Sequence, residues 1–135
     1  MSEIPQDWRG LVDRALGARE ASYSPYSKFR VGCALEDDGG RVFTGCNVEN
    51  SNFSETLCAE RTAIVKMVSE GSRRVSRVVV VTSSEAPCFP CGSCLQVLQE
   101  FGRPSVLAVN PTLTRFQEME FNKLLPFCFS GDELK

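Results

Sequence analysis

Three cysteines and one glutamate stand where two helices should begin, and together they could hold and use a metal ion. Cys58 comes two residues before Glu60 in the stretch LCAERTAI (Leu57–Ile64), and Cys91 and Cys94 sit three apart in FPCGSCLQV (Phe89–Val97), directly after Pro90. Side chains three apart share a helix face, so both of these sulfurs can reach one ion. Cys58, at the other helix start, can supply a third. Zinc takes thiolates readily, and a catalytic zinc keeps three protein ligands and leaves one position for water. Helix N-termini present free N–H groups and a positive dipole end, which lower thiol pKa values. Three thiolates on a divalent cation leave a net negative charge, which makes the held water a poorer acid. Arg61, one helical turn beyond Cys58, is placed to neutralise part of that charge. Glu60 could face the open position, where a carboxylate takes a proton from the activated water and passes it to a substrate nitrogen.

The chain contains no histidine. That excludes Ser-His-Asp and Cys-His catalysis, HExxH zinc sites and facial-triad iron, all of which need an imidazole. Seven cysteines in 135 residues would suit a disulfide framework in a small secreted protein. Here the first ten residues, MSEIPQDWRG, are acidic and polar where a signal peptide would be basic and then apolar. Metal ligands plus buried free thiols is therefore the expectation, in a soluble, cytoplasmic protein. The net charge of −2 and the absence of a basic block argue against a nucleic-acid polymer as partner. No apolar run approaches the roughly 18 residues of a membrane helix.

Placing these groups needs a scaffold, and the length fits one domain over residues 1–135 with a single core. Trp8, Leu11, Val12, Ala15 and Leu16 recur at helical spacing and predict a helix from about 5 to 21. Pro25 breaks it. Phe29, Val31, Cys33 and Leu35 alternate with Arg30, Gly32 and Ala34 as in a strand, Asp37–Gly40 reads as a hairpin turn, and Val42–Val48 as the return strand. Ser54 or Thr56 could cap a helix running from Leu57 to about Glu70. The β-branched run Arg77–Thr82 and the segment Ser105–Asn110 read as buried strands, with a helix over Ser93–Phe101 between them. A weak strand near Arg115–Met119 and a short helix near Phe121–Leu125 follow. This order makes an α/β layer with a mixed sheet.

The motif Cys58-Ala59-Glu60 followed by Pro90-Cys91-Gly92-Ser93-Cys94 resembles the signature of zinc-dependent nucleobase and nucleoside deaminases in its all-cysteine form. SPYSKFRVGCAL, FTGCNVEN, CAERTAI, PCGSCLQVLQEF and LLP also occur in the order of the small cytidine deaminases, covering most of the chain from Ser24 to Gly131. The resemblance implies a three-layer α/β/α fold with a five-stranded mixed sheet, one zinc per chain, and a homotetramer with active sites shared between subunits. It implies deamination of cytidine and 2′-deoxycytidine to the uridines with release of ammonia, as in pyrimidine salvage: water adds at C4 while Glu60 protonates N3. By position, Asn47 and Glu49 would bind the ribose hydroxyls, Phe29 would pack on the pyrimidine, and the backbone of Ala59, with Ser93 or nearby groups, would hold the base edge. Phe53 stands where an aromatic is usual, and Phe129 resembles the C-terminal aromatic that reaches a neighbour's site.

Other readings stay open on the residues alone. Cys88 could close a structural four-thiolate zinc site, giving a non-catalytic protein. The substrate could be a cytosine nucleoside analogue such as blasticidin S, against which the NVEN motif argues. Phe29 could be plain core, and Phe53 and Phe129 core or exposed hydrophobes. Glu55 brings a charge near the expected entrance, and Cys33, Cys46 and Cys128 are expected to act as small buried hydrophobes.

Overall fold

Valines 78 to 81 hold the centre of the molecule, pointing alternately to two faces of one sheet. The computed structural model describes residues 3–134. Its elements are α1 (Gln6–Arg19), β1 (Gly32–Asp37), β2 (Val42–Cys46), α2 (Ala59–Ser69), β3 (Val75–Val81), α3 (Gly92–Gln99), β4 (Ser105–Val109), β5 (Phe116–Met119) and α4 (Phe121–Leu124). The five strands form one sheet in the order β2-β1-β3-β4-β5. β3 and β4 run parallel, joined through α3, and the other pairs are antiparallel.

Because side chains alternate along a strand, Val78 and Val80 pack with Cys33, Leu35 and residues of α2, α3 and α4. Val79 and Val81 pack with Ala34, Leu107 and the Trp8, Leu11, Val12 and Ala15 face of α1. Three layers result. Two glycines let the helices come close. A Cβ on Gly32 would lie 2.0 Å from the Ala15 carbonyl oxygen of α1, and one on Gly45 would lie 2.5 Å from the Ala59 carbonyl oxygen of α2. Arg77 ties two layers together, bonding Glu36 at 3.1 Å and lying over the Trp8 ring at 4.8 Å.

Four local expectations are corrected. β1 starts at Gly32, leaving Phe29 in the preceding loop. The Asn47 side chain takes over part of the strand ladder there, donating to the Phe29 carbonyl at 2.7 Å and accepting from Val31 N–H at 3.0 Å, while Asn47 N–H still donates to the Val31 carbonyl at 3.3 Å. The return strand ends at Cys46, and Val48 makes only isolated bridges to Tyr23 and Leu57. Neither Ser54 nor Thr56 caps α2, whose N-cap is Cys58. Those residues fold their own loop instead: Ser54 N–H donates to Asn52 Oδ1, and Asn50 N–H donates to Thr56 Oγ1. Finally, Cys33 is fully buried, but Cys46 and Cys128 are only half-buried. Among the described residues no helix is long and apolar enough to cross a membrane.

Candidate active site

The ends of α2 and α3 meet at their N-termini. Cys58 is the N-cap of α2 and Cys91 the N-cap of α3, and neither helix end has a side-chain cap. The first turns of both helices thus keep N–H groups that no capping side chain takes. Cys94 lies in the first turn of α3, completely buried. The three Sγ atoms lie within 4.8 Å of one another, forming a group able to hold a metal ion, and Cys88 is not part of it. A tetrahedral zinc with Zn–S bonds of about 2.3 Å would draw the sulfurs to about 3.8 Å apart, a small tightening. The donor chemistry fits as well. The Cys94 thiol donating to the Cys58 sulfur, helped by the Arg61 guanidinium, holds Cys58 down at about 5 against the effect of burial. The same sharing, with burial, pushes Cys94 well up. Three convergent sulfurs, one of them already favoured as thiolate, are the donor set that zinc takes readily. Arg61 Nη2 stands 3.8 Å from Cys58 Sγ.

Glu60, the second residue of α2, is 4% exposed. Burial, and then the charge of Cys58, raise its carboxyl to about 7. That is a poised acid–base group. It lines a cavity of about 320 Å³ together with Cys58, Ala59 and Cys91, a size suited to a small ligand. A larger hollow of about 490 Å³ beside Arg73, Arg103 and Asp132 contains none of these groups, so volume alone does not locate the site.

Asn47 and Glu49 line the same cavity, and each is also tied to the loop before β1. Asn47 Oδ1 accepts from Ser22 Oγ and Val31 N–H, and its Nδ2 donates to the Phe29 carbonyl, which leaves one amide hydrogen unspent. Glu49 Oε1 accepts from the Tyr26 and Ser27 N–H groups at 3.0 and 3.1 Å, and Oε2 accepts from Ser27 Oγ. The Ser27 hydroxyl, followed by those backbone donors, keeps Glu49 below its usual range and ionised. A donor and an acceptor are therefore free side by side. Lys28, in the left-handed region at φ 61°, turns the chain so that Phe29 reaches the cavity wall.

Ser93 and Glu55 do not line the cavity; Pro90 and Cys91 do. Phe53 is largely exposed, edge-on to Tyr26 at 5.9 Å, and lines a small hollow that shares Ser27, Glu49 and Thr56 with the main cavity. Phe129 is exposed and stands outside its own chain's cavity, its carbonyl held by Gln96 Nε2 at 2.9 Å. The sequence reading missed Ser22 and Ser27, whose partners lie more than twenty positions away, and Thr82, which lines the cavity together with Cys88. Thr82 did carry a signal, as the polar residue ending a run of buried valines.

Residues 6–110 match the family model for the cytidine and deoxycytidylate deaminase zinc-binding region. A cytidine deaminase of Sporosarcina psychrophila is 44% identical over 129 residues, 95% of each chain. One from Mycobacterium tuberculosis H37Rv is 40% identical over 128 residues, 95% of this chain and 93% of the other. The crystal structure of the cytidine deaminase from Burkholderia pseudomallei matches with a TM-score of 0.86 at 37% identity, covering 93% of this chain and 100% of that one.

Proposed function

The chain belongs to the cytidine and deoxycytidylate deaminase family and is a zinc-dependent hydrolase that deaminates cytidine; from that premise we propose the finer reading that follows. It takes 2′-deoxycytidine as well, serves pyrimidine salvage in the cytoplasm, and works as a single domain assembled into a homotetramer. The observation that carries the reading is one cavity lined by Cys58 and Cys91 of the three-thiol group, by the buried Glu60, and by Asn47 and Glu49. Seven free cysteines among the described residues fit a reducing compartment.

Cys58, Cys91 and Cys94 hold the zinc, and when bound it supplies a Lewis acid that lets water act as a nucleophile near neutral pH. Glu60 takes one proton from the attacking water and delivers it to N3 of the pyrimidine as the oxygen bonds to C4, and it then carries the second proton from that oxygen to the amino nitrogen, which leaves as ammonia while C4 becomes a carbonyl. Arg61 offsets part of the thiolate charge, and Phe29 packs on the base. The backbone N–H of Ala59, the first residue of α2, is free to hold the base edge. The spare Asn47 amide hydrogen donates to one ribose hydroxyl, and the ionised Glu49 accepts from another. A ligand lacking those hydroxyls leaves both groups unpaired, which discriminates strongly. Phe53 and Phe129 serve the site's rim, Phe129 from a neighbouring subunit.

The test is loss of cytidine ultraviolet absorbance with equimolar ammonia release, run beside blasticidin S. Cytidine should be the better substrate. A zinc-loaded protein that leaves cytidine unchanged, or prefers blasticidin S, overturns the reading.

A further inference from the structure

Among the described residues the buried polar or charged side chains are Asp37, Asn47, Glu49, Glu60, Thr82 and Asn110. Two of them close turns. Asp37 accepts from Gly39 and Arg41 N–H, and Asn110 accepts from Thr114 and Arg115 N–H. The other four line the one cavity, and of these only Thr82 has no part in the reaction derived above. Thr82 is 3% exposed, and its Oγ1 accepts from Ser84 N–H at 3.1 Å. The hydroxyl proton meets no acceptor among the described residues. A buried hydroxyl proton without a partner is costly in a native structure, so its acceptor should arrive with the ligand.

The sheet tells where that acceptor lies. Gly32 pairs with Cys46 on one side and with Val81 on the other. One step further along the same register, Val31 falls between Asn47 and Thr82. All three line the cavity. Thr82 is thus two strand spacings from Asn47, about 10 Å, or roughly the span from a ribose to the far side of its base. With the sugar at Asn47 and Glu49, Thr82 comes under the pyrimidine. Cytosine carries two ring acceptors, N3 and the 2-carbonyl oxygen, and N3 is taken by the proton from Glu60.

We propose that Thr82 is a specificity-determining residue whose hydroxyl donates to the 2-carbonyl oxygen of the bound pyrimidine. The inference rests on the nucleoside reading above. A carbonyl oxygen has two lone pairs, so this donor and the Ala59 backbone can serve it together.

The experiment compares wild type with Thr82→Val, which keeps the shape and removes the donor, and with Thr82→Ser, which keeps the donor. Each is assayed on cytidine and on 2-thiocytidine, whose sulfur is a poor acceptor, with zinc content and Tm measured alongside. Thr82→Val should raise KM for cytidine about tenfold, with kcat, zinc content and Tm little changed. Thr82→Ser should restore the wild-type KM. The wild-type preference for cytidine over 2-thiocytidine should shrink in Thr82→Val. If wild type converts cytidine and Thr82→Val matches it in KM and in preference, the inference alone fails. The inference also fails if both variants lose Tm or zinc without a selective KM change, which would mark Thr82 as structural. If wild type leaves cytidine untouched, the nucleoside reading and this inference fall together.

Discussion

A carboxyl held at about 7 by burial and a neighbouring thiolate can both take and give a proton near neutral pH, which is where a general acid–base group works best. Glu60→Gln keeps the size of the side chain and removes both transfers. The variant should retain zinc and Tm while kcat for cytidine falls by roughly 10²- to 10⁴-fold. Turnover above about a tenth of wild type would remove Glu60 from its role. Glu49 has a double duty, since the oxygens that face the cavity also hold the Tyr26 and Ser27 backbone. Glu49→Ala should therefore lower kcat/KM for cytidine by roughly 10- to 100-fold and do much less to free cytosine, which carries no sugar. Equal losses on the two substrates would mean that Glu49 only pins the loop. The cysteines and Glu60 were readable from the sequence because metal chemistry imposes short, local spacing. Ser22 and Ser27 were not, because their partners Asn47 and Glu49 lie more than twenty positions away and are brought to them only by the folded loop before β1.

Elements carry the site by how closely they approach one another. Gly45 lets β2 lie against the first turn of α2, the turn that bears Cys58 and Glu60. A Cβ there would meet the Ala59 oxygen at 2.5 Å and the Ala63 nitrogen at 2.6 Å, both rigid backbone. Gly45→Ala should cost about 1–3 kcal/mol of stability and weaken zinc retention, measured by denaturation and by chelator competition. Full stability with full zinc retention would mean that α2 has slack. At the other end of the hairpin, Asp37 accepts from Ser72 Oγ at 2.7 Å and from Gly39 and Arg41 N–H. The Ser72 bond above all holds its carboxyl below the usual range. A carboxyl depressed in the folded state adds stability above its unfolded pKa, and loses it as pH falls through the folded value. Asp37→Ala should therefore lower Tm by several degrees at neutral pH and by progressively less below about pH 4. A Tm difference independent of pH would deny the ionised form its role. Alternation and helical spacing made the five strands and the main helices legible. The start of β1 was not, because the Asn47 side chain, sixteen positions from Val31, takes the Val31 N–H that a strand partner's carbonyl would otherwise accept.

At the scale of the whole molecule, the chain end is hard to account for with one subunit. Phe127 lies fully exposed in the left-handed region at φ 53°, and Phe129 is 59% exposed. Left-handed backbone costs a non-glycine residue about 1–3 kcal/mol. Leaving a Phe side chain in water forgoes about 1.5–3 kcal/mol of burial. Among the described residues nothing covers these rings, whereas a neighbouring subunit packed on them would offset both terms. A small hollow lined by the exposed Phe53 shares Ser27, Glu49 and Thr56 with the main cavity, which is lined by no described residue of its own C-terminal tail. A neighbour's Phe129 could close it. Deleting residues from Phe129 onward should therefore raise KM for cytidine and shift the assembly toward smaller species in sedimentation, with zinc content unchanged, because the tail supplies no sulfur to the group of Cys58, Cys91 and Cys94. Gln96 would lose its bond to the Phe129 carbonyl, a loss confined to the surface of α3. A truncated protein that sediments as the full chain does and keeps its KM would make the tail a surface appendage, and the cavity would then be complete within one subunit.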